Sequence, residues 1–108
     1  MGYRQIAQAN LAIVRKLLND YGFTDLVAAY NRARFFVADG LQDKSAGWTL
    51  GDDVTLKSTE FPPNASMNEL IRITAHELAH VRGADEGEAM ATEAVVMQKM
   101  GIASPPVR

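Results

Sequence analysis

Ser66-Met67-Asn68-Glu69-Leu70-Ile71-Arg72-Ile73-Thr74-Ala75-His76-Glu77-Leu78-Ala79-His80-Val81-Arg82-Gly83 is the stretch from which the rest of the chain is read. It opens on S-x-x-E, a capping box, and closes on a glycine suited to a left-handed position after a helix. Between them Met67, Leu70, Ile71, Thr74, Leu78 and Val81 form one stripe at helical spacing. His76 and His80 lie beside that stripe in line with Ile73, so the helix turns both imidazoles toward a packed seam. Residues four apart on a helix stand one above the other, and two such rings can converge on one ion. Glu77 sits next to them, where a carboxylate can deprotonate water. These are the only two histidines in the chain. Their meeting around a glutamate on a capped helix favours a hydrolytic metal site over two incidental histidines.

A catalytic zinc takes three protein ligands and keeps one position for water. With no third histidine and no cysteine, a carboxylate must complete the set. Past Gly83, Asp85 is a good N-cap with Glu88 three residues on, which predicts a second helix. Ala89, Val96, Met97 and Met100 supply its buried side, and Gly101 ends it. The sharp turn returns the start of this helix to His80, so Glu86, Glu88 and Glu93 are the candidates. Glu86, just past the turn, is favoured. Glu88 is accounted for by the cap, and Glu93 is expected to overshoot both histidines in a tight antiparallel pair.

Upstream, apolar residues Ile6, Ile13, Val14, Leu17, Leu18 and Tyr21 recur at helical spacing over residues 3–21, closed by Gly22. This helix is expected to cover a sheet. Thr24-Asp25 is read as the cap of a short helical turn over residues 26–30. Residues 34–38, aromatic and β-branched, read as extended. Asp39-Gly40 signals a turn and residues 42–45 a polar loop. Trp48-Thr49-Leu50 and residues 54–58 flank Gly51-Asp52-Asp53, the pattern of a hairpin. Arg32 and Arg34 are expected on solvated strand edges, and Trp48 as a core or hairpin packing residue. Phe61-Pro62-Pro63-Asn64 breaks the strand pattern, and residues 104–108 read as a frayed tail. The five methionines are read as gap-fillers in a modest core. Together these elements predict an α+β fold: an N-terminal helix, a small antiparallel or mixed sheet, the histidine helix and a C-terminal helix.

The chain's 108 residues predict one domain, 1–108, with ordinary globular composition, 47% hydrophobic and 22% charged. A net charge of −2 and a pI near 5.6 give no electrostatic footprint for nucleic acid. The lack of cysteine excludes a disulfide scaffold, thiolate ligands and a thiol nucleophile. No leader pattern opens the chain and its apolar stretches are too short to span a bilayer, so a cytoplasmic protein without membrane association is expected.

His76 to Met90, HELAHVRGADEGEAM, resembles the zincin metallopeptidases, and in particular the SprT and WLM-type proteases. In those, HExxH is followed after five residues by a third histidine, then often by glycine and an aromatic. Glu86, Gly87 and Met90 occupy these places, so the resemblance assigns Glu86 as the third ligand, a glutamate where that family has histidine. Gly83 also falls on the glycine of the metzincin pattern HExxHxxG, without a separate methionine turn. The minigluzincins, small single-domain peptidases of similar length, take a glutamate from the next helix. Asn31-Arg32-Ala33-Arg34 is similar to a stretch before the strands of SprT-like domains.

The resemblance implies Zn²⁺ held by His76, His80 and a glutamate, with Glu77 as general base for hydrolysis of a peptide or protein substrate. Residues 54–58, taken as an edge strand, are expected to align an extended substrate. Tyr3, Tyr21, Tyr30 and Arg82 are candidates for an additional transition-state donor. One alternative is a non-catalytic, metal-stabilised regulatory or binding module. Another is an rRNA-maturation type endoribonuclease, whose pattern HxxxHxxGxDH is similar at His76, His80, Gly83 and Asp85, with Glu86 in place of the last histidine. The acidic pI and the presence of Glu77 favour peptide hydrolysis.

Overall fold

The computed structural model describes residues 3–38 and 47–102, with side chains from residue 8 onward. The turn at Asp39-Gly40, the loop at 42–45 and the tail at 104–108 lie outside the described residues. The order is α1 (Tyr3–Asp20), α2 (Thr24–Arg32), β1 (Arg34–Ala38), β2 (Gly47–Leu50), β3 (Asp53–Lys57), a 3₁₀ turn (Ser58–Glu60), α3 (Met67–Val81) and α4 (Glu86–Lys99). The fold is α+β, with a mixed three-stranded sheet in the order β1-β3-β2.

β2 and β3 form the expected hairpin, antiparallel from Gly47↔Leu56 to Leu50↔Asp53. Its two-residue turn, Gly51-Asp52, needs the positive φ of +63° that glycine supplies at residue 51. β1 runs parallel to β3, Arg34↔Asp53 to Ala38↔Lys57. Residues 54–58, expected at an edge, therefore supply the central strand instead. The burial explains why: Val54 and Leu56 are fully buried, whereas the inward positions of β2 are Gly47 and Thr49, too small to anchor the middle of a sheet. Among the described residues β1 and β2 each pair on one side only, so Gly47–Leu50 is one of the sheet's two edges.

One sheet face carries Phe35, Val37, Val54 and Leu56 into the core. Strand alternation puts Phe36, Thr55 and Trp48 in one cross-strand row on the other face. Trp48, 39% exposed, is thus not a core anchor. Arg34 pairs across the strands with Asp53 at 2.7 Å, exposed as expected. Arg32 differs: it bonds Asp52 and donates to the Val81 carbonyl at 2.8 Å, tying the hairpin turn to the end of α3.

α1 buries Leu11, Val14 and Leu18, spaced three and four apart, and leaves Ile13 exposed; Tyr21, in the turn just after it, is also exposed. It packs chiefly on α2 and α3 rather than over the sheet. Gly22 at φ +82° ends it. α2 begins without a side-chain cap: Phe23 holds the N-cap position, and Thr24 is already helical.

α3 is the centre of the molecule. Ser66 caps it by accepting the Glu69 N–H at 3.1 Å, while the Glu69 carboxylate turns to Arg72 instead of closing the box. Leu70, Ile71, Thr74, Leu78 and Val81 are all buried, as their stripe predicts. Burial of each aliphatic side chain is worth about 1.5–3 kcal/mol. α2, β2, β3 and α4 all pack around this helix, which fixes the rotation of His76 and His80. Among the described residues no helix is long and apolar enough to cross a membrane.

Candidate metal centre

The connection between α3 and α4 is short and heavily specified. Arg82 caps α3 through its backbone N–H, Gly83 takes a φ of +106°, and the Ala84 N–H returns to the Ala79 carbonyl at 3.0 Å. Asp85 then accepts the Glu88 N–H at 2.8 Å, starting α4 one residue later. Glu86 is therefore the first residue of α4, at the positive end of the helix dipole, a favourable place for a carboxylate.

This turn brings three side chains to one point. His76 Nε2 lies 2.9 Å and His80 Nε2 2.8 Å from the same oxygen, Glu86 Oε1. The three donor atoms lie within 4.8 Å of one another. At Nδ1 the two rings differ: His80 is hydrogen-bonded to the Ala84 carbonyl at 2.9 Å, whereas His76 has Glu93 Oε2 nearby at 3.4 Å without a hydrogen bond.

The donor chemistry tests whether a cation suits the site. A carbonyl only accepts, so His80 Nδ1 must carry the proton, and a neutral ring then presents a lone pair at Nε2. An ionised Glu86 oxygen also presents lone pairs. The contact is repulsive unless a cation lies there, either a second proton on the ring or a metal ion. Fixing Nδ1 with an outer acceptor so that Nε2 faces a metal is also how protein imidazoles are oriented as ligands. His76, His80 and Glu86 could hold a metal ion.

Without a metal, the same contacts favour the protonated form of His80. Burial by itself would lower the His80 pKa, but the Ala84 carbonyl, Glu86 and the charge of Glu77 outweigh it and raise it above the ordinary histidine value. The bonds from His76 and His80 hold the Glu86 carboxyl below the usual carboxylate range.

Glu77 is only 4% exposed. Its Oε1 accepts the Thr49 hydroxyl from β2 at 2.7 Å, and its other oxygen has no hydrogen bond among the described residues. It faces an open cleft of about 790 Å³ lined by Thr49, Arg72, His76, His80 and Met90 among others.

Of the three glutamate candidates, Glu86 joins the histidines. Glu88 does not; its backbone N–H serves the cap and its carboxylate is left in solvent. Glu93 does not overshoot: it sits beside His76 on the outer, Nδ1 side. Seven residues separate it from Glu86, about two turns, so it stays on the face of α4 that looks at α3. Arg72 Nη1 holds it at 3.1 Å, and Glu69 anchors the same guanidinium.

The candidates for a further donor lie elsewhere. Tyr30 packs against Phe35 with ring centroids 4.8 Å apart, Arg82 bonds Thr92 and pairs with Asp25, and Tyr21 lies outside the cleft lining. The Tyr3 side chain is outside the described residues. Among the described residues, the Lys or Arg side chain that lines the cleft is Arg72. Its place was readable, since it stands four residues before His76 on the same helix face. Thr49 gave no comparable signal, because only the strand order brings it to α3.

Comparison with protein-family models, curated proteins and solved structures finds no match to this chain.

Proposed function

We propose that this protein is a zinc-dependent metallopeptidase, a member of the zincin class in its mechanism. The observation that carries this reading is the convergence of both Nε2 atoms on Glu86 Oε1 while His80 Nδ1 is held by the Ala84 carbonyl. His76, His80 and Glu86 would hold the metal. When bound, zinc polarises a scissile carbonyl and acidifies water, which replaces part of an oxyanion hole. Glu77 accepts the proton of the attacking water and delivers it to the leaving amine. Its burial and its bond to Thr49 hold it in one orientation for both transfers.

The free edge of β2 (Gly47–Leu50) borders the same cleft, so an extended peptide can align there by main-chain hydrogen bonds. That favours a peptide or protein substrate over a nucleic acid, as does the net charge of −2. A purely stabilising metal would be expected in a closed coordination sphere, whereas Glu86 keeps 67% of its side chain exposed at an open cleft. The test is elemental analysis of the purified protein together with peptide-library cleavage by wild type and Glu77→Gln. About one zinc per chain, with cleavage lost in Glu77→Gln, is expected. A wild type that neither carries nor takes up zinc at neutral pH would end the reading.

A further inference from the structure

We infer that the inward face of β2 is a cradle for Glu77, with Thr49 as the positioning residue that keeps this carboxylate a base and prevents it from becoming a metal ligand. The inference rests on the metallopeptidase reading above.

The position of Glu77 poses a problem. It is adjacent in sequence to His76, it is charged, and it faces the cleft that the three donor atoms border. A flexible carboxylate so placed would take any open coordination position, since a carboxylate is a better zinc ligand than water. The structure opposes this through β2. Thr49 has a single hydroxyl proton and two acceptors in reach, the Glu77 backbone carbonyl at 3.2 Å and Glu77 Oε1 at 2.7 Å. The shorter, charge-assisted bond takes the proton and ties the carboxylate to the strand. Two residues earlier, on the same face of β2, Gly47 lies alongside the Glu77 stem, while the backbone and Leu56 side chain of β3 are what demand glycine there. A Cβ there would lie 3.6 Å from Glu77 Cγ, and also 2.9 Å from the Thr55 carbonyl and 2.8 Å from Leu56 Cδ2. The strand approaches so closely that only glycine fits without displacement. Gly47 is small because β3 lies so close, and Thr49 is polar because its partner is the Glu77 carboxylate.

The test uses the full chain. Thr49→Val keeps the shape and removes the hydroxyl; Thr49→Ser keeps the hydroxyl and removes a methyl. Zinc affinity is read by competition with a chromogenic chelator, and kcat and KM are read separately on a cleaved peptide. In Thr49→Val, zinc binding is expected to tighten by about threefold or more as Glu77 takes up coordination. kcat is expected to fall by at least about tenfold with KM held within about twofold. Thr49→Ser should match wild type in both. In a Glu77→Gln background the Thr49→Val change should leave zinc affinity unaltered, because the group it releases is gone.

Wild-type zinc affinity and kcat in Thr49→Val would overturn the inference, and so would a Thr49→Ser variant as impaired as Thr49→Val, which would make the methyl the contributor. If wild type binds zinc but hydrolyses nothing, the peptidase reading fails and the chelator competition alone decides the cradle. A wild type that takes up no zinc ends both.

Discussion

His80 Nε2 and Glu86 Oε1 stand 2.8 Å apart, while His80 Nδ1 is already committed to the Ala84 carbonyl. The ring cannot be neutral and satisfied at both ends, so this pair demands a cation. That demand gives the sharpest expectations.

Zinc affinity should depend on pH in the opposite sense to the stability of the metal-free chain. The His80 pKa is raised in the folded state, so its ion pair stabilises the metal-free protein fully below about pH 6.5. That stability is lost as pH rises through the raised value. The lowered Glu86 pKa contributes above the ordinary carboxylate range and is lost as pH falls through the folded value. The metal-free protein is therefore favoured by this pair in the window between the two. Glu86 is two-thirds exposed, so solvent screening keeps the effect to at most about 1 kcal/mol. Zinc must displace the second proton of His80, so its affinity should instead rise with pH through the same histidine titration. Thermal unfolding with and without a chelator between about pH 5 and 8 reads both slopes; parallel slopes would remove the metal from this contact.

Glu86→Ala should weaken zinc binding far more than Glu88→Ala. The reason is spatial: only Glu86 reaches both imidazoles. Chelator competition on the two variants measures it, and equal losses would shift the third ligand away from Glu86.

Stability of the α3–α4 connection should track Asp85, not Glu88. The Asp85 carboxylate accepts the Glu88 backbone N–H, a bond that survives Glu88→Ala. Asp85→Ala is expected to cost about 0.5–2 kcal/mol, and Glu88→Ala to lie within about 0.5 kcal/mol of wild type. Urea unfolding of the two chelated, metal-free variants compares them. A Glu88→Ala loss as large as that of Asp85→Ala would mean that the carboxylate itself caps.

Glu93 and Arg72 should matter to the metal without touching it. Glu93 faces His76 Nδ1 and Arg72 holds Glu93, an outer pair of the kind whose loss lowers metal affinity about 10- to 100-fold. Glu93→Gln keeps the size and can still accept, so it should lose less than Glu93→Ala. Zinc titrations of both are the check, and wild-type affinity in Glu93→Ala would reduce the pair to a surface salt bridge.

Much of this architecture was legible along the chain because it is local. The Ser66 and Asp85 caps, the glycine turn at Gly83, the hairpin over Gly51-Asp52 and the facing of His76 and His80 all follow from spacings of a few residues. The helix over residues 3–21 was legible in existence and largely in its facing, since Val14 and Leu18 are buried and Leu17 packs on the core, although Ile13 is exposed and Leu11 is buried. What escaped depends on contacts distant in sequence. The pairing of β1 with β3 moved residues 54–58 to the middle of the sheet, and it set β2 beside α3. Thr49 is an ordinary strand residue until that happens. Glu93 was misplaced for a related reason: its distance from the turn was weighed, but not the return of α4 along the same face of α3.

The hydrogen bond from Thr49 to Glu77 spans 28 residues of chain, whereas His76, His80 and Glu86 lie within a single helical hairpin. Capturing an ion closes a loop of only a few residues and needs little beyond two helices and their turn. Keeping the base in order requires that a strand from a separate part of the chain arrive in register. The two parts of the proposed site can therefore be lost separately. On the proposed function, an altered β2–β3 hairpin would leave the ion site intact and abolish hydrolysis, whereas a damaged turn at Gly83 would disrupt both at once.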